Sequence, residues 1–217
     1  MRGSADRPGK EEETMSTKRS SKTVYMVELA LLIAIILIMA FTPIGYIKTL
    51  GLEITLIVVP VAVGAVILGP LGGAILGAVF GLTSFIQCFG LSPFGIVLLS
   101  INPVYTFIVC VVPRTLMGWL TGMIYRGLCK VSSLRHVRVV LANLCAPILN
   151  TVFFMSALVL FFYQTDYIQG FVESAGASNV LAFIVAFVGV NGLVEAALCF
   201  VVGSAITKAL QVALKNV

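Results

Sequence analysis

Six long apolar runs separated by short polar interruptions make up most of this chain, at about 25–45, 54–68, 71–89, 103–125, 139–163 and 180–205. The runs are apolar on every side, which is the pattern of helices buried in lipid rather than helices with one dry face. About 20 residues rising ~1.5 Å each match a hydrocarbon core of ~30 Å, so most of the runs are long enough to cross a bilayer. The second is short and needs tilt or help from its flanks to do so. The period-two alternation of a membrane β-barrel is absent. The pattern predicts an all-α membrane protein with six transmembrane helices, occupying residues 25–217 as one domain. Ahead of it, MRGSADRPGKEEETMSTKRSSKTV (1–24) is polar and charged and reads as a disordered tail. Its opening MRGS looks like an expression leader, and Met15 is an alternative start.

The interruptions differ from one another. Residues 46–54 form a short polar connection with Lys48 and Glu53. Residues 87–103 hold Gly90, Pro93, Gly95 and Pro103 with no charge, too apolar for a solvated loop, and read as a lid folded back over the membrane surface. The 164–179 loop carries Asp166 and Glu173 but no Lys or Arg, whereas the 126–138 loop has Arg126, Lys130, Arg135 and Arg138 and no acid. Basic residues also precede the first run and follow the last, so the positive-inside rule puts both termini and the 126–138 loop in the cytoplasm.

Composition agrees with this picture. The chain is 59% hydrophobic and 11% charged, with mean hydropathy +1.09, against about 25% charged residues in a soluble domain. The net charge of +5 comes from these cytoplasmic segments and does not point to nucleic acid. Five cysteines lie singly, without C-x-x-C spacing, and read as small buried hydrophobes rather than metal ligands. His136, the one histidine, falls in the basic loop. With no nucleotide-binding loop, no nucleophile elbow and no metal-ligand constellation, the sequence offers no catalytic residues, no metal and no cofactor. It is not read as an enzyme, and ATP hydrolysis would have to come from elsewhere.

The chemistry concentrates in four polar residues inside apolar runs: Arg114, Asn150, Asn191 and Glu195. A guanidinium at membrane depth costs at least ~2.5–3.5 kcal/mol, so Arg114 should face the protein interior. Arg114 and Glu195 are a candidate pair, able to serve a ligand or, equally, only to fix helix register. Towards the outer side, Gln87, Asn102 and Tyr105 with the 88–103 segment would line a cavity suited to a vitamin-sized ligand. Tyr105 equally suits an interfacial anchor. Ala30 and Ala34 put two small residues on one face of the first helix, where another helix could approach closely.

The alanine pair, the stretch ITLIVVPVAVGAVILGPLGGAILGAVFGL at 54–82 and VPRTLMGWLTGMIY at 112–125 together resemble the S-components of energy-coupling factor (ECF) vitamin importers, in their pantothenate- and riboflavin-like group. The resemblance covers the chain from about residue 25. It implies a substrate-capture subunit of the bacterial plasma membrane that binds a small water-soluble vitamin from outside. Delivery would run through a transmembrane coupling protein and two ATPases, with Ala30 and Ala34 on the docking face. Arg114 suits a carboxylate such as that of pantothenate. Riboflavin or folate specificity, a self-sufficient secondary transporter and a membrane scaffold are the alternatives.

Overall fold

The computed structural model describes residues 9–42, 46–48, 53–131, 134, 137–174, 176 and 179–215. Among these, five helices are long and apolar enough to cross a membrane: Lys22–Phe41, Gly69–Gln87, Pro103–Cys129, Arg138–Phe162 and Gly192–Leu210, with Val58–Ile67 as a shorter apolar helix. This is the all-α membrane architecture of about six spans that the hydropathy predicts.

Helix α1 runs from Gly9 to Phe41. The polar stretch expected to be disordered is therefore helical from Gly9 onward. Lys and Glu in this stretch are good helix formers, and extending a helix already nucleated in the apolar span takes little. From Lys22 to Phe41, a narrow stripe of α1, Leu32, Ile36 and Ala40, is buried, while Val27, Leu31 and Ile38 on its other sides are more than half exposed.

The 46–54 connection departs from a plain loop. Tyr46–Lys48 (β1) pairs antiparallel with Glu53–Thr55 (β2), Tyr46 opposite Thr55. The ribbon leads into α2 (Val58–Ile67), whose residues from Val58 to Val66 are all buried. Ten residues reach only ~15 Å, so α2 is a half-span at the centre of the bundle. Gly69, at φ +82°, turns the chain into α3 (Gly69–Gln87), with Pro70 in its first turn. A side chain at Gly69 would be strained in this left-handed conformation and would meet the Arg126 guanidinium.

Helix α4 (Pro93–Ile101) occupies the segment expected to form a lid, capped by Ser92, whose Oγ accepts from Gly95 N. Helix α5 (Pro103–Cys129) carries Arg114, and α6 (Arg138–Phe162) carries Asn150. Helix α7 (Asp166–Ser174) meets α4 through aromatic rings, Phe94 against Tyr167 and Phe171. The last span is α8 (Val180–Leu198), a π-helical turn (Cys199–Gly203) and α9 (Ser204–Lys215).

The closest packing in the bundle is between α3 and α5. Glycines make it possible: a Cβ on Gly77 would run into the Arg114 carbonyl, and one on Gly73 into that of Gly118. Such backbone-to-backbone approach is how helices associate in lipid, where no hydrophobic drive separates them from the tails. The seam fixes α3 against α5 at the level of Arg114.

Gly77→Leu should therefore disrupt the bundle, with about 1–3 kcal/mol or more lost to overpacking and a lower unfolding temperature in detergent. Gly127→Ala, on the open side of α5 with nothing within 4 Å of the added Cβ, should be neutral or up to ~1 kcal/mol stabilising. Thermal unfolding of the two variants beside the parent protein checks the contrast.

Candidate functional site

Proline and arginine act together in the middle of α5. Pro113 has no N–H, so the Val109 carbonyl one turn earlier loses its helical donor. The Arg114 side chain folds back to supply one: its Nη1 donates to Val109 O at 2.6 Å. The same guanidinium lies over two rings, Phe154 of α6 with its centroid 4.6 Å away and Phe80 of α3 at 5.6 Å. Both contacts are cation–π in kind, and they gain strength away from water. Arg114 is thus held from three helices at 7% exposure, and its Nε is buried with no hydrogen-bond partner.

Glu195 lies on α8, also 7% exposed. It forms no ion pair with Arg114; its Oε1 accepts from Thr55 Oγ1 at 2.6 Å and from Thr55 N at 2.8 Å. The carboxylate fastens the end of the β-ribbon to the last span, because a buried anion needs donors and Thr55 offers both a hydroxyl and an amide.

Asn150 sits on α6 one turn before Phe154, so the two share a helix face. Its Oδ1 is buried and has no hydrogen-bond partner. Buried polar atoms are almost always paired, so an unpaired donor on Arg114 and an unpaired acceptor on Asn150 are both exceptions to that rule. Asn191 is one turn before Glu195 on α8, and its side chain lies outside the described residues, as does His136.

The other sequence-derived candidates serve helix ends. Gln87 is buried and its Nε2 donates to Ala40 O at 2.5 Å, tying the end of α3 to the end of α1. Asn102 caps α5, its Oδ1 accepting from Val104 N and Tyr105 N at 3.0 and 3.1 Å. Tyr105 is 41% exposed and stacks on Phe161 at 4.8 Å, apart from the Arg114 cluster. Ala30 and Ala34 are both exposed on α1, on a face that no other described helix covers.

Sequence reasoning missed Phe80, Phe154 and Thr55. The pairing of Pro113 with Arg114 was visible, and it carries the signal of a carbonyl released beside a cation able to take it. The two phenylalanines carry none, being apolar residues in apolar runs. A second polar cluster lies nearer α9: Asn143 Nδ2 donates to Thr207 Oγ1 at 3.2 Å, while Asn143 Oδ1 and Ser204 Oγ are buried without partners.

A comparison with curated proteins returned no match. The family model for the substrate-specific component of ECF transporters matches residues 24–206, which takes in Thr55, Phe80, Arg114, Asn150, Phe154 and Glu195. A six-span helical membrane protein with a buried, partly unsatisfied polar site fits a substrate-capturing transporter subunit, a transport component rather than an enzyme class. The chain belongs to the family of ECF transporter substrate-specific components.

Proposed function

We propose that this subunit captures a small water-soluble vitamin bearing a carboxylate, pantothenate being the favoured one, and that Arg114 receives the carboxylate. The single observation that carries this reading is the free Nε of a guanidinium already fixed in position by Val109, Phe80 and Phe154. Because Glu195 is engaged by Thr55 rather than by Arg114, the cation has no direct counter-ion among the described residues. A carboxylate would provide one, and it would accept from Nε–H as well as balance the charge. Asn150 Oδ1 would accept from a hydroxyl or amide elsewhere on the ligand. Asn191, on the Glu195 face of α8, is assigned to the same site.

In this account Gln87, Asn102 and Tyr105 act at the outer rim, by fixing the ends of α1, α3 and α5 around the entrance. Glu195 acts through the ribbon, which it holds over the site. The protein works in the bacterial plasma membrane with both termini in the cytoplasm. It passes its ligand on through a coupling protein and two ATPases, docking by the exposed Ala30 and Ala34 face.

Binding of a vitamin panel to the detergent-solubilised protein tests the reading. One carboxylated vitamin should bind, and Arg114→Ala should weaken it about 10–150-fold, the equivalent of the ~1.5–3 kcal/mol of a charged hydrogen bond. Preference for a flat uncharged ring such as riboflavin, unaffected by Arg114→Ala, would transfer the specificity to the aromatic residues. No binding across the panel by the folded protein would favour a scaffold.

The roles of Glu195 and the alanine face separate in other variants. Glu195→Gln keeps an acceptor for Thr55, so ligand affinity should stay within a few-fold of the parent; a loss as large as that of Arg114→Ala would make Glu195 a ligand contact. Ala30→Leu with Ala34→Leu should leave vitamin binding intact and abolish ATP-dependent uptake in vesicles containing the coupling module. Uptake at the parental rate would remove that face from the docking surface.

A further inference from the structure

Two cysteines that the capture site does not use face each other at the far end of the α3–α5 seam. Cys88 follows the last residue of α3, and Cys110 lies one turn before Arg114 on α5. Their sulfurs are 3.9 Å apart, with the residues only 4% and 6% exposed. The glycine seam creates this proximity: a Cβ on Gly81 would stand 2.7 Å from Val111 Cα and 2.9 Å from Cys110 O, so the two backbones touch one residue away from Cys110. Cys88 is covered by the first turn of α4, where a Cβ on Gly95 would stand 2.6 Å from its Sγ.

The geometry points to Cys88 and Cys110 as a dithiol modification site, oxidised by a small peroxide to a disulfide that closes the 88–110 loop and locks α4 over the end of the seam. A disulfide needs its sulfurs at ~2.05 Å, which side-chain rotation can reach from a thiol contact when the backbones are already adjacent. The other three cysteines have no such neighbour: Cys129 is exposed near the opposite end of α5, Cys145 lies on α6 and Cys199 in the π-helical turn. With hydrogen peroxide the step balances. One thiolate attacks a peroxide oxygen, the O–O bond breaks, and a sulfenic acid and hydroxide form. The second thiolate attacks the sulfenic sulfur, the S–O bond breaks and hydroxide leaves. With the two thiol protons, the products are one disulfide and two waters.

The bond would act on α4. This helix lies inside the closed loop and is otherwise anchored by Leu98 in the core and by Phe94 on α7. A disulfide at the start of the loop restricts how far the 88–102 segment can lift. The site stands whatever ligand the protein binds.

The test is mild hydrogen peroxide treatment of the full-length protein in detergent, followed by denaturation, maleimide labelling and peptide mapping. Exposed Cys129 serves as an internal reference for oxidant access. Two labelling sites should disappear together and return on reduction with dithiothreitol, with Cys88 and Cys110 found in one cross-linked peptide pair. Hydrogen exchange across 93–101 should slow several-fold in the oxidised protein. Cys88→Ser and Cys110→Ala should each abolish the cross-link, and either suffices if the other misfolds. Oxidation of Cys129 with Cys88 and Cys110 still labelled, separate sulfinic acids on the two residues, or a cross-link joining other cysteines would each overturn the assignment. So would a Cys88–Cys110 bond that leaves exchange in α4 unchanged.

Discussion

A guanidinium cannot stay in the middle of a lipid-embedded bundle unless the protein answers its charge and its donors, and much of this architecture follows from how Arg114 is answered. Pro113 frees a carbonyl at Val109, and Arg114 takes it. The partnership explains two residues that would each be unfavourable alone, a proline inside a long helix and a cation inside a membrane. Phe154 and Phe80 then flank the cation from α6 and α3. The glycine seam brings α3 close enough for Phe80 to reach, because any larger residue at Gly77 would press on the Arg114 carbonyl itself. Its Nε–H stays buried without a partner, and that is the donor the proposed function gives to the ligand.

The second buried charge is handled differently. Glu195 draws Thr55 onto itself, and with Thr55 comes the ribbon between the first two membrane helices. The connection is thereby tied to the last span, and it is followed by a half-length helix buried from Val58 to Val66. Arg114 and Glu195 form no salt bridge, so under the proposed function an anion reaching Arg114 would not first have to open one and leave Glu195 a buried, uncompensated charge.

The helical membrane class, the spans and the burial of Arg114 and Glu195 were legible because apolar length and intramembrane charge are strong local signals. That Glu195 is taken by Thr55 and not by Arg114 was not, since it depended on where the 46–55 segment goes. A three-residue pairing of Tyr46 with Thr55 leaves no periodic trace in so short a stretch. Gln87 and Asn102 were singled out for their polarity, yet polarity near a helix end is as readily used by the backbone. Asn102 directly before Pro103 carries the pattern of a helix cap followed by a first-turn proline, and it caps α5 accordingly. Phe80 and Phe154 were invisible among 14 phenylalanines, because nothing in an apolar run distinguishes a ring beneath a cation from a ring beneath a leucine.

The most direct test of the account compares two ligands on the unmodified protein: pantothenate, and the same molecule with its carboxylate reduced to an alcohol. If the open Nε–H of Arg114 receives the carboxylate, the acid binds at least about tenfold more tightly, since a charge-assisted bond is replaced by a neutral one. Equal affinity for the acid and the alcohol, or no binding of the acid, would contradict it.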